Sequence, residues 1–551
     1  MSKKKYAFSN AKHSSINTRK SLVKLNAKIT QLYQKGKIQE SLILSQQALK
    51  QFPNDLTLLK NAGAFSGILG QIELAKQYTL KSLEINPYDA NLHSNLALIF
   101  QQKEQPNEAE RHYKEALSIN SSNSQTYNNF ATFLTEQKRF NEAKKYYQKA
   151  LNISPNNATI YHNLAIFFQK QGQFNKSKEY YQKALNIDPN YTEAHNGFGV
   201  LLQKEKKFDK AKEHYQMALK VNPNYIETKW NLSLLNLTLI KFGEGFELYE
   251  SRYHPSKRGR GLMKTISPNV STPQYQGENI RDKHILVCLE QGIGDTVMFA
   301  SVLLELVDSG AKITLACNTR LIDLFNRSFD FLTAIPKDKD NRYQDLDNKI
   351  DYWMFIGSLP KFYRNDIKDF GKHKHYLKVD NVLLHKWQDR FNNLEHNTNI
   401  GISWAGGATA ENKRDRSLTL EKILPILTKA SQSANIINLQ YGDRQQEINN
   451  FKRQTGITIH DWEDADPLKD LDNFTSQIKA LDLVISIDNS TVHFAGALGV
   501  KTYVMLPFNQ DWRWAEDRDD SYWYPNVMQL FRQNEDGKWD DVIQNVANTL
   551  E

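Results

Sequence analysis

A step of 34 residues runs through the first half of this 551-residue chain. Pro53, Pro87, Pro155, Pro189 and Pro223 lie one step or a multiple of it apart, and Ser121 takes the remaining place. The pairs Ala48–Leu49, Ser82–Leu83, Ala116–Leu117, Ala150–Leu151, Ala184–Leu185 and Ala218–Leu219 keep the same step. So do the small residues Ala75, Ala109, Ala143, Ser177, Ala211 and Gly245. A period of this length means that each unit buries its apolar face against its neighbours, so the chain stacks into a solenoid. Small residues let two helices cross closely, and proline stops the second helix of each unit.

A 34-residue unit of two antiparallel helices is the tetratricopeptide repeat (TPR) pattern. About six to seven units fill residues 21–253, after a basic tail over 1–20. Stacks of this kind present a groove lined by the first helix of each pair, which takes up extended peptides or helices. Asn61, Asn95, Asn129, Asn163 and Asn231 share one register in those helices, and Gly197 interrupts it. Two readings stand side by side: an amide ladder that holds a peptide backbone whatever its side chains, or an ordinary occupant of that repeat position. His93, His112, His162, His195 and His214 lack paired metal-ligand spacing and read as surface or packing residues.

Charge divides the chain in the same place. Residues 1–250 hold 34 Lys+Arg against 21 Asp+Glu, and the remainder is mildly acidic within a net charge of +9. The lysines are dispersed rather than clustered, which fits solvated helix faces better than a nucleic-acid footprint. Two cysteines exclude a disulfide scaffold and fit a reducing cytoplasm. No apolar run is long enough for a transmembrane helix, and the basic start has no signal-peptide core behind it.

Residues 254–280, rich in Pro, Ser and Gly, read as a linker. Short β-rich runs then alternate with helices: ILVCL, KITLAC and YWMFI over residues 281–395, then IGISW, NIINLQ, DLVISI and KTYVML over 396–551. Alternation of this kind predicts two successive Rossmann-like halves with parallel sheets and with ligands at the carboxyl ends of the strands. In the last segment Trp539, Val542, Ile543, Val546 and Leu550 fall on one helical face, which predicts a docked helix.

Three strand-end loops carry chemistry-bearing residues. Gly292-Ile293-Gly294-Asp295 joins a strand to a helix, where glycines allow close backbone approach and free N–H groups face a ligand. It lacks the GxGxxG spacing of dinucleotide sites. Asp295 is either a helix cap or a carboxylate facing the cleft. Asp488-Asn489-Ser490-Thr491 ends another strand, and His493 follows one turn into the next helix, a placement suited to a diphosphate or to an ordinary capped helix. Lys413, Arg414 and Arg416 lie in a glycine-containing loop and either neutralise phosphate or face solvent. Asp511-Trp512-Arg513-Trp514 follows the last strand, where an indole either stacks on a base or sugar or packs as a lid.

The motifs EQGIGDTVMFA, GISWAGG with NKRDRSLTL, INLQYGD, and DLVISIDNSTVHFAGALGVKTYVMLP with DWRW resemble the C-terminal region of bacterial TPR-linked glycosyltransferases. These are similar to lipopolysaccharide heptosyltransferases, and the order of repeats then catalytic region resembles eukaryotic protein O-GlcNAc transferase. FGEGFELYESRY resembles the last repeat helix through which such proteins enter their catalytic part. The resemblance implies a GT-B fold of two facing Rossmann-like halves, with the donor site in the second. It implies Asp295 as general base within the Gly292–Asp295 loop. The family's donor loop, Asp-Thr-Gly-x-x-His, falls on Asp488–His493, with Asn489 and Ser490 replacing Thr and Gly. The phosphate-binding cation falls on Lys413 or Arg416, and Gln440 is expected near the nucleotide. Donor binding is thus expected from Gly292, Gly294, Lys413, Arg416, Gln440, Asp488, Ser490, Thr491 and His493.

An inverting transfer follows, in which Asp295 takes the acceptor proton while N–H groups and cations hold the departing nucleoside diphosphate. That arrangement requires neither a metal nor a resident cofactor; the nucleotide sugar is a co-substrate. The many Asp-x-Asp matches, such as Asp464/Asp466 and Asp470/Asp472, are too common in this acid-rich half to single out a metal site, and His373 and His375 are isolated. The expected acceptor is a protein held by the repeat groove. The alternatives are an envelope or lipid-linked glycan, or a non-catalytic repeat scaffold with a degenerate second half.

Overall fold

A computed structural model describes residues 21–253, 268, 270–290, 292–338, 343–372, 375–406 and 416–550. The basic tail and most of the linker lie outside these. The chain divides into two compact units: Met1–Glu205 with Gln216–Pro223, and Lys206–Tyr215 with Asn224–Glu551.

The first unit is the helical repeat solenoid. First helices begin at residues 56, 90, 124, 158 and 192, and second helices at 38, 72, 106, 140 and 174, each on the 34-residue step. Capping keeps the step as well. Asp55, Asp89, Asn123 and Asn157 accept hydrogen bonds from backbone N–H groups of the first turns they precede, each cap contributing about 1 kcal/mol. Tyr113, Tyr147 and Tyr181 recur on the step and are fully buried. The chain turns between helices through a left-handed residue each time: Gly36, Gly70, Glu104, Lys138 and Gly172. Gly197 breaks the asparagine register for a steric reason, because a Cβ there would lie 2.6 Å from the Tyr181 hydroxyl.

The second unit begins with the helices Ile226–Thr238 and Phe242–Tyr249 and continues into an α/β region. Nine of its strands, and a two-residue tenth, form two sheets. Strands β1 His284–Cys288, β2 Lys312–Cys317, β3 Leu332–Pro336 and β4 Tyr352–Phe355 pair in the order β3-β2-β1-β4, all parallel. Strands β5 Thr398–Ser403, β6 Ala434–Asn438, β7 Ile459–His460, β8 Leu483–Ile487, β9 Thr502–Leu506 and β10 Met528–Arg532 pair in the order β10-β9-β8-β5-β6-β7, also all parallel. The second order is that of a doubly wound Rossmann sheet, with its direction reversing between β5 and β8. In the first sheet the reversal falls between β1 and β4. Strands β3, β7 and β10 were not among the runs legible in the sequence.

The C-terminal helix Asp540–Asn548 buries Val542, Ile543 and Val546, with Trp539 just before it, as the helical face predicts. Phe242, Phe246 and Tyr249 from the last repeat helix enter the core of the α/β region. Their rings lie 5.0 Å from Tyr522, 6.0 Å from Trp512 and 6.5 Å from Phe299 respectively. Just beyond, Arg252 is fully buried at the carboxyl ends of β1 and β4. It pairs with Glu290 at 2.9 Å and Glu250 at 2.7 Å and donates to Ser358 Oγ. The Glu290 carboxyl, buried with it, is pushed up to about 7 by desolvation.

Candidate functional site

The carboxyl ends of β1, β2, β5, β6, β8 and β9 open onto one cavity of about 390 Å³. Its lining includes Gly292, Gly294, Asp295, Arg416, Asp488, Ser490, Thr491 and His493. The structure therefore brings together eight of the ten sequence-derived catalytic and donor residues. Lys413 lies outside the described residues. Gln440 does not line the cavity. Its side chain turns inward, where Oε1 accepts from the backbone N–H groups of Trp404 at 3.0 Å and Ala405 at 2.7 Å. Gln440 thus shapes the loop after β5, and its neighbour Tyr441 lines the cavity instead.

Two helix starts meet here. The helix Ile293–Ala300 follows β1 and the helix Ser490–Leu498 follows β8. They approach at Gly294, where an added Cβ would lie 3.0 Å from His493 Cδ2 and 3.2 Å from Ser490 Cα. Gly294 permits this approach whether or not it also faces a ligand. Asn489 caps the second helix by accepting from Thr491 N–H at 3.0 Å. Its amide donates to Ser403 Oγ at 2.8 Å, tying the ends of β8 and β5 at the point where the sheet order reverses. Ser490 is half-buried at the first helical position and its hydroxyl makes no hydrogen bond among the described residues.

The polar wall is built from paired opposite charges. Arg416 Nη1 lies 3.0 Å from Asp488 Oδ2. Arg513 Nη2 lies 2.8 Å from Asp295 Oδ1, and Arg513 Nη1 binds Asp511. Burial raises the Asp295 carboxyl above the usual carboxylate range; Arg513 opposes this, while Asp511 and Asp488 add to it. Burial likewise raises Asp488 against the pull of Arg416. Asp511 is held low by Arg513 and Arg416 despite its burial. The lining also includes the apolar residues Ile293, Leu468, Leu471, Phe474 and Phe494.

His493, expected at the donor site, lines the cavity. Desolvation, assisted by Arg513, pushes its imidazole down to about 3, so it is neutral at physiological pH. Its Nδ1 is 3.1 Å from the Tyr524 hydroxyl and its ring stacks on Trp514. It can offer a neutral N–H and no net charge. Trp512 and Trp514 are buried, so the packed alternative holds for both indoles.

Sequence reasoning missed Arg320, Tyr441 and Arg513 as lining residues. Arg320 follows β2 and donates to the Pro467 carbonyl at 3.1 Å. Arg513 lies in the loop after β9 between Trp512 and Trp514. All three sit just past strand ends, a signal available from the sequence. In the groove register, Asn129 accepts from Gln125 at 2.8 Å and Asn163 donates to Asn128 at 3.1 Å. Asn61 is half-buried and Asn95 exposed; Asn231 belongs to the second unit.

Comparisons with known proteins support the repeats directly. Residues 122–190 and 156–224 match one tetratricopeptide-repeat model, and residues 90–123 match another. Over 331 residues the chain is 29% identical to Protein FlbA of Caulobacter vibrioides, covering 57% of this chain and 53% of FlbA. The chain thus spans about half the length of that curated relative. Among solved structures, PilF of Pseudomonas aeruginosa is 28% identical, with a TM-score of 0.30, over 36% of this chain and 87% of that one. A tetratricopeptide repeat protein from Parabacteroides merdae is 18% identical, with a TM-score of 0.36, over 41% and 82%. No helix among the described residues is long and apolar enough to cross a membrane.

Proposed function

We propose that the α/β region is an inverting glycosyltransferase of GT-B arrangement that uses a nucleotide sugar, and that the repeat array holds a protein acceptor. One observation carries the reading. A single cavity collects the Gly292–Asp295 loop of the first sheet and the Asp488–His493 loop of the second, both at strand carboxyl ends.

The nucleoside diphosphate lies against the start of the helix Ser490–Leu498. The free N–H groups and positive dipole end of that helix favour an anion. Arg416 reaches the same place and neutralises charge as the leaving group departs. Asp295, across the cavity, takes the proton of the acceptor hydroxyl while the anomeric carbon becomes oxocarbenium-like. Its raised affinity for a proton suits that task. Asn489, as a cap and clip, takes up the Thr491 N–H and leaves the Ser490 amide and hydroxyl to meet the diphosphate. With N–H groups and guanidinium in this role, the reaction needs no divalent metal. Tetratricopeptide repeats suit protein binding, and this favours a protein over a small acceptor.

The test is nucleoside diphosphate release from a panel of nucleotide sugars by the purified full chain. One or a few donors are expected to turn over, and Asp295→Asn is expected to lower turnover by about 10²–10⁴-fold with donor binding retained. Unchanged turnover in that variant removes Asp295 from the chemistry. Absence of release from every donor rejects the transferase reading.

A further inference from the structure

The cavity holds more fixed charge than a base and a phosphate cradle require. Asp295, Asp488 and Asp511 face Arg320, Arg416 and Arg513, so an incoming diphosphate meets a wall whose charges are already balanced. Arg513 is the hinge of that balance. Its guanidinium bridges Asp295 and Asp511, and among the described residues it is the ion-pair partner of Asp295. Asp511 holds the arginine's backbone too, accepting from Arg513 N–H at 3.2 Å, and the Trp512 ring lies 4.8 Å from the guanidinium carbon. Arg513 is therefore anchored on the Asp511 side, and only its Nη2 edge is committed to Asp295. Its buried Nε has no acceptor among the described residues. A guanidinium offers five N–H donors in a planar fork suited to phosphate oxygens.

We propose that Arg513 is a positioning residue shared between the donor diphosphate and Asp295, so that seating the donor releases the base. This deepens the transferase reading and rests on it. Phosphate oxygens compete with the Asp295 carboxylate for Nη2. While Asp295 keeps its counter-charge, Arg513 opposes the rise in proton affinity that burial imposes on it. Once the diphosphate takes that donor, Asp295 stands in a buried site beside negative charge, where accepting a proton is favourable. The groups facing Asp295 are Arg513 and Asp511 after β9, Asp488 at the end of β8, and Arg416 after β5. Tyr249 and Tyr524 complete the set, with the neutral His493 alongside. None of the others is ion-paired to Asp295 among the described residues, so the exchange runs through Arg513. In the transfer step the acceptor O–H proton goes to Asp295, the acceptor oxygen bonds to the anomeric carbon, and the bond from that carbon to the diphosphate breaks. The electron pair leaves on the diphosphate, held by Arg513 and Arg416. The order makes Asp295 a stronger base once a donor is in place than before it.

The experiment is calorimetric titration of the full chain with inorganic pyrophosphate, UDP and GDP between pH 6 and 8, in two buffers of different ionisation enthalpy. The expected result is binding with proton uptake that grows toward pH 6 and fades toward pH 8, where Asp295 stays the free base, in excess of the phosphate's own titration that remains in Asp295→Asn. Affinity is expected to fall by about tenfold or more in Arg513→Gln. Arg513→Lys, which keeps the charge, is expected to restore part of the affinity while proton uptake stays altered; this separates the role from a loss of fold. Binding by wild type with unchanged affinity in Arg513→Gln, or with the same proton uptake in Asp295→Asn as in wild type, overturns the inference and leaves the nucleotide site standing. Failure of wild type to bind any of the three probes overturns both.

Discussion

The two units use the same kinds of residues for opposite ends. In the array, arginine–carboxylate pairs lie on the surface: Arg139, about a third exposed, reaches Glu142 in the first turn of the helix that follows it and Glu110 on a neighbouring helix. In the α/β region the same chemistry is taken inside. Arg252 and Glu290 have no exposed side-chain surface, and Arg513 is 12% exposed between two acids. Stability in the array is repeated and local, since caps at Asp55, Asp89, Asn123 and Asn157, buried tyrosines at Tyr113, Tyr147 and Tyr181 and left-handed turns recur on the 34-residue step. The α/β region concentrates charge at strand ends, where it costs desolvation and is available for chemistry.

This contrast is open to direct tests. The largest expected difference lies between two arginine substitutions. Arg252→Met leaves Glu290 buried without its cation and is expected to destabilise the α/β unit by about 3–5 kcal/mol. Arg139→Met in the array is expected to cost less than about 1 kcal/mol. Chemical denaturation followed by hydrogen exchange of each unit measures both, and equal costs would erase the distinction.

Acidification should separate the units next. His112 and His162 in the array are pushed down to about 4 by burial, below the ordinary 6.5 of the unfolded chain. The unfolded state then binds more protons in that window. The stability of the array is therefore complete above about pH 6.5 and falls toward pH 4, by up to about 1.4 kcal/mol per pH unit for each histidine. His493 acts in the same sense in the α/β unit, from 6.5 down to about 3. There Asp295 and Asp488 oppose it: their folded affinity for protons is raised, so their contribution grows as pH falls toward the ordinary carboxylate range. Hydrogen exchange at pH 7 and pH 5 is expected to show a larger loss of protection in the array. An equal or reversed loss would contradict this assignment.

The smallest effect concerns the repeat turns. Glu104 and Lys138 take the left-handed conformation that Gly36, Gly70 and Gly172 take at equivalent positions. Lys138→Gly is expected to gain about 1 kcal/mol of array stability, read as a higher denaturation midpoint; a loss would mean that Lys138 makes a compensating contact.

Legibility follows the same division. The array is written in the sequence almost completely, because a repeated local pattern leaves its mark at every step: helix starts, caps and crossings all keep the 34-residue spacing. Even the break at Gly197 has a local cause in Tyr181. The α/β region is legible where strands are long and apolar, as at β1, β5, β8 and β9. It is not legible at β7, which is two residues long, or at β3 and β10, the outer strands. For the site, the loops could be found from strand ends, but side-chain direction could not. Gln440 sits where a ligand residue belongs and turns inward to the backbone of Trp404 and Ala405. Arg513 sits in a loop read for its indoles and turns toward Asp295, more than 200 residues away in the chain. Partnerships at that separation are set by how the sheets bring strand ends together, which no local pattern records.

The central claim is that a diphosphate rests on the start of the helix Ser490–Leu498 with Asp295 facing the transferred sugar. A crystal structure of the full chain with a bound nucleotide sugar, stabilised by Asp295→Asn, measures this most directly. Phosphate oxygens are expected on the Ser490 backbone amide and hydroxyl and on the Arg416 and Arg513 guanidinium groups, with the residue-295 side chain facing the anomeric carbon. A nucleotide bound outside this cavity, or seated with residue 295 turned away from the sugar, would contradict it.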